Sequence, residues 1–368
     1  MKIFQVINVR WFNATSWYAL YLSKLLQDAG HEVLLITVPG TETEAKAREM
    51  GLNVETIELN SAHPHKLVKA CAQVLSLVKK HRPHVVNCHR GEAFFWWGIL
   101  RKIRMGYKLI RTRGDQRLPK SDFFNRYLHS KVADAVVVTN KKMADHFLKK
   151  MELAENRLWL IHGGVDKEKF TFSPEGRLKI REQFGFTDDD IVVGMLGRFD
   201  RVKGQKELIE ALAKARNNTQ GKSVKLFLIG FPTATSQHEI DTWLTDNNLT
   251  DITTISGKCE DVTACISAMD IGVIASLWSE TIARAALEIM ACEIPLISSS
   301  VGVMPDLLPA EALFPPGDVN LLALKLTEAI NNPEFREKLL EEHKRTMSQL
   351  SGEDFLKRTM TLYQSVLN

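Results

Sequence analysis

The segment Gly197-Arg198-Phe199-Asp200-Arg201-Val202-Lys203-Gly204 places cations between two glycines, directly ahead of a helical stretch that opens at Gln205. The apolar run Ile191–Leu196 before it reads as a buried strand. A helix start offers unpaired N–H groups and the positive end of the helix dipole, so the strand-to-helix turn suits a phosphate. Arg198 can grip phosphate oxygens in bidentate fashion, and Lys203 adds a second charge. The plainer alternative is a solvated basic loop.

A second segment runs Ser279-Glu280-Thr281-Ile282-Ala283-Arg284-Ala285-Ala286-Leu287-Glu288 and follows the strand-like Ile271–Ala275. On a continuous helix the step from Glu280 to Glu288 turns through about 800°, which sends both carboxylates to broadly similar sides. Carboxylates beside phosphate-binding cations are natural acceptors for sugar hydroxyls. The plainer reading makes Glu280 an N-cap acid and Glu288 an exposed helix acid. Glu288, however, lies in the apolar stretch Ala285–Ala291, where a solvated Glu is not expected. A third segment, Ile161-His162-Gly163-Gly164-Val165-Asp166 followed by Phe170, reads as a sharp turn at a join.

The elements that must position these residues alternate along the whole chain. Ile3–Val9, Val33–Val38, Val54–Leu59, Val85–Cys88, Lys108–Thr112 and Ala135–Val138 read as strands. Helical stretches such as Ser16–Ala29 and Leu67–Lys80 fall between them. The pattern restarts near residue 190 with Ile191–Leu196, Lys225–Ile229, Ile271–Ala275 and Pro295–Ser298. Strands alternating with helices on short turns predict parallel sheets covered on both faces. The expected architecture is α/β: two tandem Rossmann-like domains with a cleft between them. The boundaries are an N-terminal acceptor-binding domain over 1–162, a linker over 163–190 and a C-terminal nucleotide-binding domain over 191–349. A last helix over 350–368 is expected to pack back on the first domain. Two domains fit 368 residues at roughly 150 per domain.

Composition excludes several classes. No run of 18 apolar residues is present, so a membrane-spanning helix is not expected. The first residues read as a strand rather than a secretion signal, which implies a cytoplasmic protein. The five cysteines (Cys71, Cys88, Cys259, Cys265 and Cys292) include no CxxC pair, and they read as small core residues rather than a disulfide or zinc framework. The net charge of +4 hides an asymmetry. Residues 1–160 carry 26 Lys and Arg against 14 Asp and Glu, and residues 161–368 carry 22 against 30. A basic first half suits phosphates or an anionic membrane. The run Phe94-Phe95-Trp96-Trp97 ahead of Arg101-Lys102-Ile103-Arg104 adds aromatics beside cations, either an interfacial surface or a core helix with a basic exit. No nucleic-acid module is present, and nucleic acid is not an expected partner.

In order and spacing the three segments resemble those of the GT-B glycosyltransferases, specifically retaining family 4 (group 1). That family carries an N-G-V-D…F turn at the join, G-R-x…K-G after the first strand of the second domain, and E-x7-E before a helix. Gly230 after Leu226-Phe227-Leu228-Ile229 and Asp270-Ile271-Gly272-Val273 match two further elements. The resemblance implies that Arg198 and Lys203 hold the donor diphosphate in place of a metal, so no metal or cofactor is needed beyond the nucleotide-sugar co-substrate. It implies that Gly197 and the backbone of Thr281, Ile282 and Ala283 add to the cradle. Glu288 would bind the ribose, Glu280 the donor sugar, and the loop with Gly257 and Lys258 would lie against the base. Three departures stand out. The first loop reads Phe12-Asn13-Ala14-Thr15-Ser16 where the family has a glycine pair, which turns the phosphate contact to Ser16 or its helix start. The family's Gly-Phe-Gly is Thr281-Ile282-Ala283, and the linker Asn is Gly163.

Two further candidates lie in the basic half. Asp115, among Arg111, Arg113 and Arg117, could orient the acceptor hydroxyl or form an ion pair. His89, at the end of Val85–Cys88, could face the cleft or cap a turn. The implied reaction is metal-independent hexosyl transfer with retention, from a nucleotide-sugar to a glycan or glycolipid such as lipopolysaccharide core, at the inner face of the membrane. A nucleotide-sugar epimerase and a non-catalytic nucleotide-sugar-binding protein are the alternatives.

Overall fold

The computed structural model describes residues 1–61, 63–102 and 106–368, with the side chains of Pro64, Glu92 and Ala93 left aside. Ile103 and Arg104, named above in the basic exit, lie outside the described residues. The chain divides into two compact units, residues 1–163 with 352–368, and residues 164–351.

The first unit is built in the order β1 (Lys2–Ile7), α1 (Ala14–Asp28), β2 (Glu32–Thr37), α2 (Glu42–Glu49), β3 (Val54–Thr56), α3 (Pro64–His81), β4 (Val85–Cys88), α4 (Gly91–Lys102), β5 (Lys108–Arg113), α5 (Phe123–Tyr127), β6 (Ala135–Val138), α6 (Lys141–Lys149) and β7 (Leu158–Leu160). Its seven strands pair in parallel in the order β3-β2-β1-β4-β5-β6-β7. Buried runs such as residues 3–7 and Ala135–Val138 have no solvent-exposed face, because helices cover both sides of a parallel sheet. Asn13 caps α1 by accepting a bond from the Ser16 N–H at 3.0 Å.

The second unit runs α7 (Pro174–Phe184), β8 (Asp190–Leu196), α8 (Gln205–Arg216), β9 (Ser223–Ile229), α9 (Gln237–Asp246), β10 (Thr253–Ile255), α10 (Val262–Ser267), β11 (Ile271–Ile274), α11 (Arg284–Ala291), β12 (Leu296–Ser299), α12 (Met304–Leu307), β13 (Leu313–Phe314), α13 (Val319–Asn331) and α14 (Pro333–Met347). Its six parallel strands order β10-β9-β8-β11-β12-β13. The stretch 163–190, expected as a linker, carries α7, and from Gly164 onward it belongs to the second unit. Arg177 and Arg181 on α7 fix it there by pairing with Asp270 at 2.6 and 3.1 Å.

Helix α15 (Gly352–Leu367) belongs to the first unit. Its Tyr363 hydroxyl accepts bonds from Gln5 Nε2 at 3.0 Å and Asn87 Nδ2 at 3.1 Å, beneath the first sheet's central strands.

The cysteine reading needs one correction. Cys88 and Cys292 are buried thiols, and Cys71 is half-buried, but Cys259 and Cys265 form a disulfide. The intervening turn, where Asp261 caps α10 through the Ala264 N–H, folds the two back together.

Candidate active site

In each sheet the strand order reverses at one point, between β1 and β4 in the first and between β8 and β11 in the second. Open parallel sheets bind ligands beyond the carboxyl ends of the strands at such a reversal. The loops after β8 and β11 therefore hold the positions of interest in the second unit. They are the two loops that carry 197–204 and 275–283.

Those loops meet. Lys203 Nζ donates to Glu280 Oε1 at 2.6 Å. The Ser276 hydroxyl donates to the same oxygen at 2.5 Å. Glu280 is 6% exposed, so its carboxylate is held by a cation and a hydroxyl rather than by bulk water. Its own carbonyl accepts the Val303 N–H at 2.7 Å. A Cβ on Gly302 would stand 2.0 Å from that carbonyl oxygen, so only glycine lets the chain pass here, and its φ of +63° favours glycine as well. The loop around Glu280 is thus clamped from both ends.

Arg198 is half-exposed and pairs with Asp200 at 3.2 Å. Asp200 also accepts the Val202 N–H at 3.1 Å, and Gln205 Nε2 donates to the Arg198 carbonyl at 3.0 Å. Gly197 lies against the Lys203 methylenes and against Gly230, where a Cβ would fall 2.0 Å from the Gly197 carbonyl oxygen. Ser256 ties Gly230 to the next loop. Its hydroxyl accepts the Gly230 N–H at 3.2 Å and donates to the Gly257 carbonyl at 2.9 Å. Lys258 beside it is exposed. The structure therefore joins Gly197, Lys203, Glu280, Gly230 and Gly257 into one continuous edge of the second sheet.

Helix α11 starts at Arg284, not at Glu280, so the 800° argument fails. The break is Ala283, which adopts φ 53° and ψ 47°, the left-handed region. Such a conformation costs a residue with a Cβ about 1–2 kcal/mol. Ala283 thereby keeps a left-handed backbone of the kind glycine favours. Ala283 at the N-cap makes no side-chain cap bond, and the helix start is the end whose dipole suits an anion. Thr281, Ile282 and Ala283 are themselves buried.

Glu288 is 4% exposed and accepts a bond from Arg284 Nε at 2.6 Å. Burial pushes its carboxyl above the usual range, against the pull of Arg284 and Lys169. It is the inward acid that its apolar neighbours predict, not a solvated one.

Three candidates belong to the first unit. Ser16 is fully buried, and its hydroxyl is spent on local bonds to the Trp11 carbonyl, Asn13 Oδ1 and Thr43. That corrects the expectation of a phosphate contact through this side chain. His89 is likewise fully buried, with Nε2 2.7 Å from Gln5 Oε1. Burial and Arg111 push it down to about 3. A histidine held neutral and out of solvent is not open to a cleft, so the cleft-facing option is corrected as well. Asp115 sits among Arg90 at 3.0 Å, Arg111 at 3.3 Å and Arg113 at 3.5 Å, which is the ion-pair arrangement.

Two residues of the site escape the motif reading. Ser276 has no signal beyond its place at the end of β11. Arg284 could have been found, because it stands four residues before Glu288, the spacing at which helix side chains meet.

Two family models divide the chain. The one described as Glycosyltransferase Family 4 matches residues 15–169, and the one described as Glycosyl transferases group 1 matches residues 176–346. The chain belongs to the group 1, family 4 glycosyltransferases. A D-inositol 3-phosphate glycosyltransferase of Mycobacteroides abscessus is 25% identical over 266 residues, 66% of this chain and 57% of that protein. The match thus spans little more than half of that relative. Among solved structures, a glycosyltransferase of Rickettsia africae matches with a TM-score of 0.87 at 19% identity, covering 100% of this chain and 98% of that one. Anabaena HepE in complex with UDP matches at 0.84 and 18%, covering 99% and 100%. These likenesses show the fold, which is GT-B, two Rossmann-like domains.

Proposed function

We propose that this glycosyltransferase moves a hexosyl group from a nucleoside diphosphate-sugar to a hydroxyl of a cell-surface glycan or glycolipid, lipopolysaccharide core being one such acceptor. The observation that carries the reading is the Lys203–Glu280 contact of 2.6 Å beside the uncapped start of α11. A cation and a row of N–H groups in one place suit a diphosphate leaving group, whose charge grows as the glycosidic bond breaks. Arg198, half-exposed at the same sheet edge, supplies the second cation. In this reading the two charges serve in place of a divalent ion. Glu288, buried against Arg284, suits the ribose hydroxyls. The Gly257 loop, tied to Gly230 through Ser256, suits the base. That HepE was solved with UDP supports a nucleoside diphosphate as the occupant.

With a leaving phosphate positioned to take the acceptor's proton, retention needs no protein nucleophile, and none is assigned. The test incubates the protein with nucleotide-sugars and a panel of glycolipid acceptors in chelator, then reads the new linkage by NMR. Transfer with the donor's own anomeric configuration supports the reading. An inverted product, transfer that requires added divalent ion, or isomerised donor without acceptor overturns the corresponding part.

A further inference from the structure

Helix α11 begins with a cation where helix electrostatics disfavours one. Arg284 is its first residue, at the positive end of the dipole, and Glu288 follows one turn later. The pair also stands in the poorer order, since an acid ahead of a base at this spacing supports a helix better than the reverse. Helix stability therefore gives no reason for Arg284. The setting of Glu288 gives one. Its side chain is 5% exposed against 39% for Arg284, and Arg284 Nε donates to Glu288 Oε1 at 2.6 Å. Helical pairs elsewhere leave the acid in water: the side chain of Asp28 beside Lys24 is 55% exposed, and that of Asp145 beside Lys149 is 62%. Such exposed pairs contribute little. Arg284 instead reaches from the surface to an acid whose chain neighbours Leu287, Ile289 and Met290 are all buried.

A carboxylate enclosed in this way has two courses. It keeps its charge through a partner at contact distance, or it takes up a proton. Lys169, ahead of α7, also favours the charge, but it is exposed to solvent and its ammonium lies 5.6 Å over the Phe170 ring. Cys292, one turn on, is pushed up to about 12 by burial and by the Glu288 and Asp261 carboxylates, so it is a neutral thiol. Asp261, ahead of α10, is exposed and accepts the Ala264 N–H. The cation that meets Glu288 at contact distance is Arg284.

We propose that Arg284 is a positioning residue of the donor site, whose guanidinium keeps the Glu288 carboxylate charged and held in one rotamer for the donor ribose, a role that rests on the ribose contact assigned to Glu288 above. Without Arg284, burial acts on the acid unopposed at contact distance. The acid then takes up a proton nearer neutral pH and offers the ribose hydroxyls one acceptor fewer. Raising the pH removes that proton and restores the contact.

The experiment measures, by titration calorimetry from pH 6 to pH 9, the affinity of the full chain for UDP, GDP and ADP, each against its 2′-deoxy form. The diphosphates titrate alike within each pair, so the ratio of the two affinities reads the ribose contact alone. For the diphosphate that binds, the parent should favour the ribose form at least tenfold at neutral pH. In Arg284→Ala that preference should collapse at neutral pH and return at high pH, its midpoint moving up by about one pH unit, a tenfold change in the proton equilibrium. Arg284→Lys, which keeps a charge on a chain long enough to reach the acid, should stay within threefold of the parent across the range. Circular dichroism should be alike for the three proteins, because Arg284 lies at the helix surface. An alanine variant that matches the parent at every pH overturns the inference. So does a loss of equal size at all pH values, which marks a direct donor contact or a structural role, and so does a lysine variant that behaves as the alanine variant. A parent that binds a diphosphate without telling ribose from 2′-deoxyribose overturns the ribose contact of Glu288 and the role of Arg284 with it, while the diphosphate site stands. Absence of binding by all three diphosphates removes the donor-site reading and the inference together.

Discussion

Lys203 Nζ stands 2.6 Å from Glu280 Oε1, across 77 positions of sequence, and the Ser276 hydroxyl reaches the same oxygen. The pair links the loops after β8 and β11 at the point where the second sheet's strand order reverses. Lys203 is thereby aimed before any ligand arrives, and the Glu280 clamp keeps it there.

Removing either partner should therefore affect catalysis more than folding. Lys203→Ala is expected to lower kcat/KM by about 10²–10³, the usual cost of deleting one donor to a developing charge. Glu280→Gln, which keeps the shape but not the charge, should lose less than Lys203→Ala. Steady-state kinetics beside circular dichroism check both, and activity within a factor of three of the parent in Lys203→Ala contradicts the assignment.

Glu288 gives a pH signature. Its folded pKa is raised by burial, so it becomes protonated at a higher pH than an ordinary carboxyl. Donor affinity should fall as the pH drops through that raised value, because the protonated acid no longer accepts from both ribose hydroxyls. For stability the sign is opposite to that of a salt-bridged acid. The group's contribution is complete below the unfolded pKa near 4.5 and is lost as pH rises through the folded value. Titration calorimetry from neutral pH downward should show the affinity fall in the parent and a flatter profile in Glu288→Gln.

Three buried histidines set the acid limit of the fold. Burial pushes His89 and His129 down to about 3 and His343 to about 4, from 6.5. A depressed pKa means that the unfolded chain takes the proton first. Stability is complete above pH 6.5 and is lost as pH falls toward 3. Melting temperature should decline steadily below pH 6.5. His343→Leu, which replaces a buried imidazole with an apolar group, should lessen that decline; an unchanged profile would remove His343 from the account.

The C-terminal helix is tied to the first sheet's central strands through the Tyr363 hydroxyl, beside the packing of Phe355 on Tyr18. Tyr363→Phe leaves the Gln5 and Asn87 amide donors buried without their acceptor. Such orphaned donors cost about 1–3 kcal/mol. Melting temperature should fall by several degrees with the donor-site kinetics unchanged, and a parent-like melt would show that this hydroxyl does not hold the helix.

Much of the fold was legible because parallel strands buried on both faces leave unbroken apolar runs, as in Ile191–Leu196 and Ala135–Val138. The shared sheet edge of Gly197, Lys203 and Glu280 was legible because glycines and charged residues cluster after such runs. What was hidden depends on partners distant in sequence. His89 looks like a strand-end group until Gln5 and Tyr18 enclose it. The common side for Glu280 and Glu288 was a helix argument, and Ala283 breaks the helix with a left-handed backbone that its residue type does not announce. The Cys259–Cys265 pair was missed because a six-residue spacing fits no familiar motif, and only the turn at Asp261 closes it.

The central claim is that the edge carrying Arg198, Lys203 and the start of α11 binds a nucleoside diphosphate. The most direct test is a thermal-shift series in chelator with UDP, GDP, ADP, CMP and TDP, run on the parent and on Lys203→Ala. A ligand that binds only the folded chain raises its melting temperature by mass action. The account predicts a clear rise with one diphosphate, little with CMP, and loss of the rise in Lys203→Ala. No rise with any nucleotide, or an equal rise in the variant, would contradict it.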